Sequence, residues 1–229
     1  MTDSPLAPGP EDPATTAKTP TWIGLFIAFF GILIARQAVN YFYPTLTFAA
    51  ALWKELLIWV CVIALFLVIR CGEHLSLRSV GIGTATWKKS LLWSFPLAIV
   101  SIFVGGMLVA ITHYGHGENA EAFGKLPVWL VSLICVRAGV AEELFFRGYA
   151  IERLQSLGLN RFWAAAVPLA IFSIGHWTGG WANIVIALAI GAVLAAFYLW
   201  RRDLVANMIA HFLVDFGPNV LPRLFSHSG

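Results

Sequence analysis

The sequence predicts an all-α fold, a polytopic bundle of about seven to eight transmembrane helices. Its 229 residues are 59% hydrophobic and only 12% charged, a balance that a water-soluble domain does not have. The apolar residues also come in long runs, of about the length (roughly 17 to 25 residues) that crosses a bilayer as a helix. A mean hydropathy of +0.78 agrees with both.

The runs fall at 22–39, 45–69, 89–112, 127–146, 161–177, 181–200 and 204–220. The last is expected to break at Gly217-Pro218, because proline removes a backbone donor and crowds the preceding turn. Before the first run, residues 1–20 are rich in Pro, Thr and Ala and lack the basic start of a secretory signal, so they read as a disordered tail. The chain then divides into N-terminal transmembrane helices over 21–126, a transmembrane core over 127–220 and a tail over 221–229. No repeat and no soluble second domain is visible.

Arg70, Arg78, Lys88 and Lys89 follow the second run, Arg147, Arg153 and Arg161 the fourth, and Arg201 and Arg202 the sixth. Those connections share one side of the membrane, and Lys125 stands almost alone on the other. The positive-inside rule therefore puts the basic side and the N-terminus in the cytoplasm. A net charge of +3, spread over loops, gives no reason to expect nucleic acid. The three cysteines have no metal or redox spacing and read as buried small hydrophobes.

Val140 to Tyr149, Val-Ala-Glu-Glu-Leu-Phe-Phe-Arg-Gly-Tyr, puts two carboxylates and an arginine into an apolar run, where charge is tolerated only against protein or a wet cavity. On a helix Glu143 and Arg147 share a face and Glu142 points elsewhere. Glu143 is then expected to be paired and Glu142 free for chemistry. His176 closes the fifth run with Phe172 one turn before it, and Asn207, His211 and Asp215 line one face of the last. Arg36 and Lys54 are expected to reach an interface with their long stems. Arg137 lies deeper and lacks an obvious acid, with Glu55 a weak candidate.

The ordered set Glu142-Glu143-x-x-x-Arg147, Phe172-x-x-x-His176 and His211-x-x-x-Asp215 resembles the three motifs of the CAAX protease and bacteriocin-processing family, the type II CAAX prenyl endopeptidases. The resemblance covers roughly 128–216, and many members carry Asn where this chain has Asp215. It implies an all-helical intramembrane endopeptidase whose cavity opens toward the cytoplasm, making 127–220 the catalytic core. The substrate implied is a peptide or a membrane-associated protein, and the setting a lipid bilayer, that of a bacterial inner membrane.

No Ser or Cys stands beside a base, so the nucleophile is expected to be water. Glu142 is then the general base, His176 positions the water, and His211 binds the oxyanion or protonates the leaving amine. Asp215 is ionisable where Asn would donate, which leaves open a zinc ion held by His176, His211, Glu142 and Asp215. Glu143, Arg147, Phe172 and Asn207 support the site. For His176 to meet the others, the fifth helix must stop mid-membrane at Thr178-Gly179-Gly180. Two rival readings are a non-catalytic immunity or scaffold protein of the same fold and a proton-coupled transporter.

Overall fold

A computed structural model describes residues 18–114 and 120–226, and within them the chain is helical. Its elements are α1 (Lys18–Phe42), α2 (Phe48–Leu67, continued by a π-turn at Val68–Gly72), α3 (Trp87–Thr112), α4 (Ala120–Gly124), α5 (Val128–Arg137), α6 (Ala150–Ser156), α7 (Arg161–Ile174), α8 (Gly180–Arg201), α9 (Leu204–Asn219) and α10 (Leu221–Ser226). Between α5 and α6 runs a π-helix, Ala138–Tyr149, so the helix continues from Val128 to Ser156 without a break.

Four of these helices are long and apolar enough to cross a membrane: Lys18–Phe42, Phe48–Gly72, Trp87–Thr112 and Trp177–Arg201. The expected seven to eight crossings are therefore met only in part. The runs at 127–146 and 204–220 carry too many polar groups or are too short, and α7, at 14 residues, spans only ~21 Å at 1.5 Å per residue. Trp22, Phe26, Phe95, Ile99 and Phe103 point outward, and a lipid-facing surface accounts for that exposure. This is the architecture of an integral membrane protein.

Local chemistry sets several helix ends. Thr47 caps α2 by accepting from the Ala50 amide, and Asn160 caps α7 by accepting from Trp163, filling donors that a helix start leaves open. The chain leaves α7 through Trp177–Gly179 and re-enters at Gly180, whose φ of 80° favours glycine,. Contrary to expectation, α9 runs through Gly217-Pro218 to Asn219. The proline removes only the bond its own amide would give to the Val214 carbonyl, and Val220 N–H still donates to the Phe216 carbonyl beyond it. Of the N-terminal tail expected over 1–20, Lys18–Pro20 form the first turn of α1 and the rest lies outside the described residues. The C-terminal tail begins as α10.

Polar contacts tie the two ends of the bundle. At one end buried Glu73 accepts from Arg153, Tyr149 and Thr21. There too, Arg202 meets Glu152 at 2.7 Å, and Thr84 donates to the Arg202 carbonyl. Ser90 donates to Asp203, which caps α9. At the other end Arg223 donates to the carbonyls of Leu126 and Phe123, and Phe48 stacks edge-on with Trp129. Arg70, Arg78, Arg153 and Arg202 belong to the first end, Lys125 and Arg223 to the second. This reproduces the charge asymmetry read from the loops.

Candidate active site

The site is assembled at mid-depth from three directions. Glu142 and Glu143 sit near the middle of the continuous helix from Val128 to Ser156, rather than toward its end as a span closing at Phe146 would place them. The helix passes its charges because each is neutralised where it stands. Arg147 donates to Glu143 at 3.0 Å and Arg153 pairs with Glu73, so neither has to leave the apolar region.

His211 reaches Glu143 from α9 because that helix crosses unusually close. A Cβ on Gly139 would stand 2.6 Å from the Met208 carbonyl oxygen, so only glycine permits this approach. His211 Nδ1 lies 2.7 Å from Glu143 Oε1. A carboxylate only accepts, so Nδ1 carries the hydrogen and Nε2 is turned to the site. Asn207, one turn back on α9, donates to the other Glu143 oxygen at 3.0 Å and to the Leu194 carbonyl. Glu143, with no exposed side-chain surface, is thus held by Arg147, His211 and Asn207 together.

The expected pairing of Glu143 with Arg147 is present, but Glu142 is not free. Arg137 donates Nη1 to Glu142 at 2.9 Å and Nε to Glu55 at 3.1 Å. In π-helical register the hydrogen bonds reach five residues back, which turns residues five apart closer to one face than an α-helix would. Arg137 and Glu142 are five apart. An α-helical reading separates them and leaves Arg137 without its acid. The second Glu142 oxygen remains 3.9 Å from His211 Nε2, and Asp215 Oδ2 lies 3.6 Å from the same nitrogen.

Phe172 joins the last member to the rest. Its ring lies under the Arg147 guanidinium at 4.3 Å and against His176 and His211 with ring centres 4.7 and 6.3 Å away. Gly191 on α8 makes room, since a Cβ there would lie 2.9 Å from Arg147 Nη2 and 3.2 Å from Phe172. His176 stands just past the end of α7, which stops at Ile174 after 14 residues. Its Nδ1 lies 2.8 Å from the Phe172 carbonyl, so it donates there and Nε2 is the available acceptor.

Glu142, His176 and Arg137 line one cavity of about 510 Å³, with Arg36, Lys54 and Glu55 on its wall. Arg36 and Lys54 thus border the cavity instead of reaching an interface, and Arg36 also donates to the Gly175 carbonyl. Leu46, Tyr114, Phe123, Leu126 and Asn219 line it as well, all from the end of the bundle that carries Lys125 and Arg223.

Among the described residues no three His, Cys, Asp or Glu side chains come together as a metal-binding set. The reason lies in the pairing: a guanidinium occupies the space beside Glu142 and Glu143 is spent on His211. The four residues named for zinc do not fit a tetrahedral centre in this arrangement.

Residues 123–217 match the family described as Rce1-like, type II CAAX prenyl endopeptidase Rce1-like. This is the family that the three motifs resemble. No curated protein and no solved structure matches the chain.

Proposed function

We propose that this chain, whose residues 123–217 carry the signature of the type II CAAX prenyl endopeptidase family, is an integral-membrane endopeptidase that hydrolyses a peptide bond with an activated water. The observation that carries this reading is the division of labour between adjacent glutamates. Glu143 is consumed in fixing His211, while one Glu142 oxygen is left facing His211 Nε2 across 3.9 Å.

A water hydrogen-bonded to that Glu142 oxygen at ~2.8 Å would lie within the cavity beside His176. Glu142 takes its proton as it attacks the scissile carbonyl, and His176, fixed in one tautomer by the Phe172 carbonyl, accepts the water's second hydrogen bond and orients it. The carbonyl oxygen gains negative charge, and His211 donates Nε2–H to it. Glu143 on Nδ1 and Asp215 near Nε2 suit a doubly protonated ring, and a preset donor of this kind is worth most where water is scarce. Glu142 then returns the proton to the leaving amine. Asp215 holds the Nε2 hydrogen in place before substrate arrives.

Arg137 positions Glu142. By clamping one oxygen it fixes which one faces the water, and through Glu55 it is itself clamped to α2. Arg147, Phe172 and Asn207 position His211 and His176 in the same sense. The substrate class is a peptide or membrane-associated protein that threads into the cavity.

The reading is tested by metal analysis of the purified protein joined to a peptide-cleavage assay with and without chelator. Cleavage that survives chelator, with no bound metal, is the expected result. Cleavage abolished by chelator and restored by zinc would replace this water-activation scheme.

A further inference from the structure

We propose that Arg36 and Lys54 form an anion subsite in the wall of the catalytic cavity, so that the peptide taken here carries a carboxylate close to its scissile bond, on an acidic side chain or at its own C-terminus. The proposal deepens the endopeptidase reading and rests on it for calling the ligand a peptide. Both cations lie outside residues 123–217, so the family match does not supply it.

Charge pairing singles the two residues out. Arg137 binds both acids that line the cavity, Glu55 and Glu142. Among the described residues neither Arg36 nor Lys54 has a carboxylate within ion-pair distance, and the one bond that Arg36 makes goes to the Gly175 carbonyl at 3.5 Å. The deeply buried arginines of the bundle, Arg137, Arg147 and Arg153, each have a carboxylate of their own.

The two cations also act on each other. They come from successive helices, α1 and α2, both are half-buried, and Lys54 feels the repulsion of Arg36. Like charges on a partly dry wall destabilise the empty protein, and an anion between them removes that strain. A guanidinium offers the anion a planar fork of donors, and an ammonium adds a movable point charge.

Position ties the subsite to the reaction. Gly175, whose carbonyl holds Arg36, is the residue before His176, and Arg36 is within electrostatic reach of Glu142. Both Glu142 and His176 line the same cavity as the two cations. A carboxylate held at the subsite therefore leaves the carbonyl under attack only a few residues away, at no more than about 3.5 Å of chain per residue. Such a contact is made equally before and during the reaction, so it belongs in KM and not in kcat.

The test uses the full chain in detergent and synthetic apolar peptides in matched forms. One set scans a single Glu through an amidated peptide, a second replaces that Glu with Gln, and a third is acid-free with either a free or an amidated C-terminus. Affinity is measured on the Glu142→Gln protein, where binding is read without turnover, and kcat and KM on the wild type. Arg36→Gln, Lys54→Gln and Arg36→Lys are each added to both proteins.

The expected result is one carboxylate position that binds at least about tenfold more tightly than its amide counterpart, as a charge-assisted contact should. Preference within the Glu set assigns the subsite to a side chain, and preference for the free terminus assigns it to the terminal carboxylate. Arg36→Gln and Lys54→Gln should each shrink the ratio by raising Kd and KM for the acidic peptide alone, with kcat and the amide peptides unchanged, and Arg36→Lys should keep part of it. Equal affinity for acid and amide forms at every position overturns the proposal without any further variant having to fold. A preference that survives both glutamine substitutions overturns it as well. The hydrolase reading fails separately, when the wild type binds these peptides with the same preference and releases no new termini.

Discussion

His211 gives its Nδ1 hydrogen to Glu143, 2.7 Å away, while its Nε2 faces Glu142 across 3.9 Å. One imidazole thus separates two neighbouring carboxylates by role, and the roles predict different damage when each is removed.

Replacing Glu142 with Gln should remove the proton acceptor and little else, since the side chain borders the cavity and an amide still accepts from Arg137. Cleavage should fall by about 10²- to 10⁴-fold with the unfolding midpoint nearly unchanged. Turnover and thermal unfolding in one detergent check both halves.

Replacing Glu143 with Ala leaves Arg147 buried without its carboxylate and His211 without its anchor. Loss of one partner of a buried ion pair destabilises by about 3 to 5 kcal/mol, so this variant should fail in stability before it can be assayed. Thermal unfolding measures it. A Glu143→Ala protein as stable as the parent would show that Arg147 has another partner.

Arg137 forks to Glu55 through Nε and to Glu142 through Nη1, a geometry a lysine ammonium does not reproduce. Arg137→Lys should keep most of the stability, because a cation remains between the acids, yet lower kcat while KM holds. Equal loss in Arg137→Lys and Arg137→Met would argue for charge alone over positioning.

Much of this site was legible in the sequence, because charge in an apolar run demands a partner or a cavity, and residues four apart on a helix meet. The Glu143–Arg147 and His211–Asp215 relationships follow from that spacing. The Arg137–Glu142 pair does not, because twelve residues in π-helical register, Ala138–Tyr149, turn residues five apart toward each other, and no composition signal marks that register. The extent of the fourth run was under-read for a related reason. Pairing with Glu143 and Glu73 lets Arg147 and Arg153 stay buried, so the fourth helix runs on to Ser156 where hydropathy alone ends it.

Gly191 lets Arg147 and Phe172 stack. Gly191→Val should overpack this contact, destabilising by about 1 to 3 kcal/mol and disturbing His176 through the Phe172 ring, so activity should drop more than stability. Gly217→Val, where added atoms meet open space, serves as the control, and the two are compared by unfolding midpoint and turnover.

Exposing a peptide library to the purified wild-type, Glu142→Gln and His211→Ala proteins, and identifying the new termini by mass spectrometry in water enriched in oxygen-18, tests the hydrolase claim most directly. The account predicts new carboxyl termini carrying solvent oxygen with the wild type, and their loss in both variants while these stay folded. Termini that persist unchanged in both variants would contradict it.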